Sequence, residues 1–257
     1  MIELITSYSF SGVPYITYDA LDAYAEIVLR DAMPGALNAP CPIEAAWFVE
    51  FYLGLDIVYK RLSYDRKILG MTAFNAGYVQ ICDEHTGVPD ALLVDAGTVI
   101  IEPTLTSKRN RPRLRFSLMH EGAHWMIHRE AFSADNLCGS VGKYENQYLA
   151  AKEGRIDYSR NQSERTDIER IERQADFLAA AILMPKSTLR MAYRDFFKFY
   201  GEKPRAIIRG RSSADDCYAV LLPEYVAKIF DVSKRAALIR LEKLGAIAGK
   251  YNQGQTA

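Results

Sequence analysis

"RFSLMHEGAHWMIH", residues Arg115–His128, holds two histidines four positions apart, with a glutamate directly after the first. Residues four apart share one face of an α-helix, so His120 and His124 can turn both imidazoles toward one metal ion. Glu121 then lies beside the ion's open position, where it can take a proton from water. The stretch predicts a helix over about 113–127, with Leu114, Leu118, Trp125 and Ile127 on its apolar face. The residues between the histidines and Glu121 are small, Gly122 and Ala123. His128 continues the same spacing and reads as a histidine that packs behind a ligand or supports it.

Two histidines do not complete a catalytic zinc site, which usually takes three protein ligands and leaves a fourth position for water. The third can come from His85, a cysteine or a downstream carboxylate. The metzincin continuation fails, because the chain runs on as His128-Arg129-Glu130-Ala131. Downstream, "TDIERIERQADFLAAAILMP" (Thr166–Pro185) is the strongest helical segment, with Thr166 as its N-cap and Glu169 as the capping-box partner. Glu172 lies on it one turn before Asp176. A ligating Glu172 would leave Asp176 placed to hydrogen-bond a ligating imidazole. Glu169 competes for the ligand role but fits the cap better. On the residues alone, Glu172 also reads as an ordinary carboxylate on a charged helix face.

The chain has 257 residues, 49% hydrophobic and 25% charged, the composition of a folded globular protein. Lysine plus arginine and aspartate plus glutamate number 32 each, so there is no basic excess of the kind a DNA-binding protein carries. No apolar run approaches the ~20 residues of a membrane helix. The opening residues lack a charged-then-apolar signal pattern. Cys41, Cys82, Cys138 and Cys217 are scattered, with no C-x-x-C pair, and read as free thiols. The expectation is a soluble cytoplasmic protein that does not bind membranes.

Helices are expected over about 18–30 and from Pro42 to Gly54, then strands in "LDIVYKRL", "KILGMTAF", "GYVQICD" and "TVIIEPTL". The segment Ser133–Arg165 is polar and long for a connection. "KSTLRMAYRDFFKFYG" reads as a helix, "GEKPRAIIRGRSS" as a basic linker, and "YVAKIFDVSKRAALIRLEKLGAI" as two short helices. We divide the chain into residues 1–200, a metallopeptidase domain with N-terminal helices and sheet, and 201–257, a C-terminal helical, helix-turn-helix-like segment. The strand around Val99–Glu102 is expected at a sheet edge, open to an extended substrate.

"RPRLRFSLMHEGAHWMIH", "IERQADFLAAAILMP" and "VSKRAALIRLEKLG", in that order, resemble the signature stretches of the ImmA/IrrE family of zinc metallo-endopeptidases. The resemblance runs over roughly Ala46–Gly245. Leu178 and the Gly122-Ala123 pair depart from the family's preferences without touching a ligand position. The resemblance implies an α+β fold with a gluzincin-like core, a small twisted sheet beside the motif helices. It implies a zinc ion held by His120, His124 and Glu172, with Glu121 as general base. Tyr144, Tyr148 and Tyr158 are candidates, by location only, to stabilise an oxyanion. The implied substrate is a protein, a helix-turn-helix transcriptional repressor cut at a specific site. The alternative is a non-proteolytic zinc-containing regulator whose C-terminal Lys234, Arg235 and Arg240 face DNA or a partner.

Overall fold

Thr17 opens the first helix by accepting a hydrogen bond from the Ala20 N–H at 3.2 Å, the expected task of a threonine N-cap. That helix, α1 (Tyr18–Ala32), buries Leu21, Ala25, Val28 and Leu29, one stripe at helical spacing. The computed structural model describes residues 6–8, 12–83, 85–132, 148–152 (backbone alone) and 167–249. Ahead of α1, a small antiparallel hairpin joins β1 (Ser7–Tyr8) to β2 (Pro14–Tyr15). The second helix starts at Ala45, later than Pro42 suggests: α2 (Ala45–Trp47) runs into a π-helical turn over Phe48–Tyr52.

Strands β3 (Asp56–Tyr59), β4 (Ile68–Ala73), β7 (Thr98–Ile101) and β8 (Tyr148–Lys152) form a mixed sheet in the order β3-β7-β4-β8. β7 runs parallel to β3 and antiparallel to β4. The strand expected at an edge is therefore interior. All four of its residues are buried, and such an unbroken apolar run belongs to a strand covered on both faces. A second hairpin pairs β5 (Gly77–Cys82) with β6 (Pro89–Val94). β6 was not expected, because its burial shows almost no alternation and its residues are mostly exposed.

The motif helix α3 (Arg111–His128) lies against this sheet and against α4 (Asp167–Leu183). Gly122 permits the close approach of α3 to the 48–53 turn: a Cβ there would lie 3.0 Å from the Leu53 side chain and 3.3 Å from Val49. The α4 face of Ile171, Ala175, Leu178 and Ile182 is wholly buried, as its periodicity predicts. Pro185 then separates α4 from α5 (Lys186–Phe199), which ends ahead of Gly201 at φ +69°.

The "basic linker" contains a buried strand. Ile207 is fully buried, and β9 (Ile207–Ile208) pairs in parallel with β10 (Ile247–Ala248) near the C-terminus. Between them lie α6 (Ser213–Phe230), longer than expected and continuous through Pro223, and α7 (Lys234–Lys243). Leu222, Val226, Phe230, Ala237 and Leu241 join the same apolar cluster as α1, α3 and α4. Two buried arginines tie these helices to the rest. Arg115 on α3 donates to the carbonyls of Phe230 (3.1 Å), Asp231 (2.6 Å) and Ile43 (2.6 Å). Arg240 on α7 donates to the Met184 carbonyl at 3.2 Å and pairs with Asp22 at 2.5 Å. Arg240 is thus turned inward, and Lys234 pairs with Glu224 at 2.8 Å. The Arg240 cation, which the alternative reading sets on a face toward DNA or a partner, is instead a fastening of the core. No helix among the described residues is long and apolar enough to cross a membrane.

Candidate metal centre

α3 and α4 pack side by side, which brings carboxylates one turn apart on α4 opposite imidazoles one turn apart on α3. The Nε2 atoms of His120 and His124 face each other at 2.9 Å. Glu172 presents Oε2 at 3.6 Å from His120 Nε2 and Oε1 at 3.8 Å from His124 Nε2. One donor atom from each of the three lies within 4.8 Å of the others. Ligands on a tetrahedral ion with bonds of ~2.1 Å stand about 3.4 Å apart, so these separations suit a single small ion. Two neutral-capable imidazoles and one carboxylate are also a donor set that suits zinc. His85 is exposed in the turn before β6, and Cys41, Cys82 and Cys217 are free thiols outside the group. Glu169 is exposed, near Arg173. Thr166, Tyr144, Tyr158 and Cys138 fall outside the described residues, as does the side chain of Tyr148.

Each imidazole has a partner on its far side. His120 Nδ1 lies 2.9 Å from Asp176 Oδ1. Burial works against a charge on His120, but the Asp176 and Glu172 carboxylates outweigh it and hold the imidazole well above its ordinary pKa. His124 Nδ1 lies 3.0 Å from His128 Nδ1, and His128 Nε2 lies 3.0 Å from Gln174 Oε1. Burial, with the neighbouring His120 and His128 charges, pushes His124 well below the ordinary range. Burial pushes His128 down to about 4, despite the Gln174 hydrogen bond. His128 therefore stands behind His124 and does not reach the group of three.

Glu121 is fully buried next to this group. The Thr72 hydroxyl on β4 donates to Glu121 Oε2 at 2.7 Å and also lies 3.2 Å from the Glu121 carbonyl oxygen. The other carboxylate oxygen, Oε1, is buried and has no protein partner. Gly70, two residues before Thr72, makes room for it: a Cβ there would lie 2.6 Å from Oε1. Burial raises the Glu121 carboxyl to about 7, against the lowering influence of His120 and of the Thr72 hydrogen bond. Gly70 and Thr72 were missed in the sequence, although a glycine inside a strand signals a close approach of some kind. Gln174 was visible only as a polar interruption of an apolar stretch.

The family model of the M78 peptidases, described as the IrrE N-terminal-like domain, matches residues 145–242. No match was found among curated proteins. The matched stretch begins downstream of His120, Glu121 and His124 and takes in Glu172, Gln174 and Asp176. Over residues 145–242 the chain thus matches a peptidase family, the ImmA/IrrE family that its motifs resemble.

Proposed function

We propose that this protein is a zinc-dependent endopeptidase with a gluzincin-like core, in which His120, His124 and Glu172 hold the metal and Glu121 is the general base. The observation that carries this reading is the convergence of three ligand-type atoms within 4.8 Å beside a buried carboxylate oxygen that has no protein partner. Zinc bound there would polarise a peptide carbonyl and lower the pKa of water toward about 7.

The protein's own groups supply the rest. Glu121 accepts a proton from water at Oε1 as the water oxygen bonds to the carbonyl carbon. Thr72 engages Oε2 and so keeps Oε1 turned toward the water. A carboxyl raised to about 7 is a better base than an exposed one and can pass the same proton to the amine nitrogen as the C–N bond breaks. Asp176 holds the His120 ring by its Nδ1–H, the usual way a carboxylate orients a ligating histidine.

The family match supports a protein substrate. We extend the proposal to site-specific cleavage of a helix-turn-helix repressor in the cytoplasm, on the strength of the family resemblance. The purified chain should hold about one zinc, lost in His120→Ala and in His124→Ala. Glu121→Gln should keep the zinc and lose cleavage of a repressor encoded beside this protein. Full zinc in both histidine variants would end the metal reading, and near-normal cleavage by Glu121→Gln would remove Glu121 as the base.

A further inference from the structure

We propose that the backbone carbonyl of Pro14 fixes the tautomer of His124, acting through Gln174 and His128, so that the His124 Nε2 lone pair is held toward the metal. This rests on the metal reading above and adds two positioning residues, His128 and Gln174, and a strand from the far end of the chain.

The hydrogen-bond chain from Pro14 to His124 has one allowed direction at every link. A carbonyl oxygen can only accept, so the Gln174 atom 2.8 Å from the Pro14 oxygen is the amide nitrogen. Gln174 Oε1 is then the atom 3.0 Å from His128 Nε2, and an amide oxygen accepts, so His128 carries its hydrogen on Nε2. An imidazole with its hydrogen on Nε2 has its lone pair on Nδ1. His124 Nδ1, 3.0 Å away, must therefore donate. That leaves the His124 lone pair on Nε2, the atom that faces His120 and Glu172. Reversing the order would set Gln174 Oε1 against the Pro14 oxygen, two acceptors in contact with no hydrogen between them.

Burial makes the order binding. His124 and His128 are fully buried and Gln174 nearly so, which leaves no solvent to satisfy a wrongly turned group. Pro14 is itself held from two sides. β1 pairs with β2, and the neighbouring Val13 is buried in a cluster with Phe74, Ala131, Phe132 and Ile171. Next along, the Tyr15 ring lies under Arg170 of α4, with the guanidinium carbon 4.5 Å from its centre. The N-terminal strand is thus built into the back wall of the site.

Two measurements on the full chain decide the matter. Long-range proton–nitrogen correlation spectra of the metal-free protein should show His124 as the Nδ1–H tautomer and His128 as the Nε2–H tautomer. Gln174→Met, similar in volume but unable to make either bond, should bind zinc about ten- to a hundredfold more weakly in competition with a chromophoric chelator. It should also lose the single-tautomer signature of His128. Finding His124 as the Nε2–H tautomer in the unaltered protein would overturn the proposal, as would unchanged zinc affinity in a folded Gln174→Met. Should that variant fail to fold, the spectra of the unaltered protein decide alone. A wild-type chain that binds no zinc defeats the metal reading, while the tautomer pattern still tests the hydrogen-bond chain.

Discussion

Glu121 is a carboxylate placed where charge is disfavoured, and that has a measurable consequence before any substrate is added. Its carboxyl rises from 4.5 to about 7 because it is buried. A group whose folded pKa exceeds its unfolded one gives a contribution that is fully present below about 4.5 and is lost as pH rises through 7. The cost at pH 8 is on the order of 3 kcal/mol, since each unit corresponds to about 1.4 kcal/mol. In metal-free protein, Glu121→Gln should therefore gain stability relative to wild type between pH 5 and 8. Chemical denaturation at the two pH values, with chelator present, reads the difference directly. The gain will be somewhat smaller than about 3 kcal/mol, because at pH 5 an unfolded carboxyl of pKa 4.5 is already mostly ionised, while the unpartnered Gln amide shifts stability alike at both pH values. A difference between the two proteins that does not change with pH would mean that Glu121 keeps its charge in the fold. At this scale the sequence spoke clearly where helix geometry alone relates residues: His120, His124 and Glu121 lie within one turn and a half. Thr72 and Pro14 were not legible, because their contacts join strands to helices across 49 and 160 positions of chain.

Among the elements, α3 does more than carry the metal motif. Arg115, five residues before His120, is buried and reaches the end of α6, where it donates to the Phe230 and Asp231 carbonyls and pairs with Asp231 Oδ2 at 2.6 Å. Asp231 closes α6 in the left-handed region at φ +51°, which returns the Asp231 and Val232 N–H groups to the Ala227 carbonyl and leaves the Phe230 and Asp231 carbonyls for Arg115. One guanidinium thus caps α6 and anchors it to the motif helix. Arg115→Met keeps the stem and removes the donors, leaving buried carbonyls unsatisfied, and should cost about 2–4 kcal/mol. A thermal melt would show it, and a change below about 0.5 kcal/mol would mean that water replaces the guanidinium without loss. The resemblance motif includes this arginine, but nothing in its spacing says which way the side chain points. The strands divide in the same manner. β4 and β5 fall within the runs expected as strands, whereas β7 was expected at an edge although its Thr-Val-Ile-Ile run already spoke for an interior position.

At the scale of the whole molecule, the division at residue 200 separates the part that holds the four-stranded sheet from a mainly helical part that carries the short β9–β10 pair. The packing argues against independence. Leu222, Val226, Phe230 and Leu241 are at most 1% exposed and share one cluster with Leu21, Leu118 and Ile182. Burying four such side chains contributes roughly 1.5–3 kcal/mol each, about 6–12 kcal/mol together. That is comparable with the whole stability of an ordinary domain, about 5–15 kcal/mol. The polar fastenings run the same way, since Arg115 would lose the α6 terminus and Asp22 would lose Arg240. A chain ending at residue 200 is therefore expected to lack a cooperative thermal transition and to hold zinc poorly, because α3 and α4 lose a shared wall. Calorimetry and zinc analysis on residues 1–200 test this together. Cooperative melting with one bound zinc would show that the C-terminal helices are a separable module, and their basic residues would then have to be explained by a partner instead of by the core.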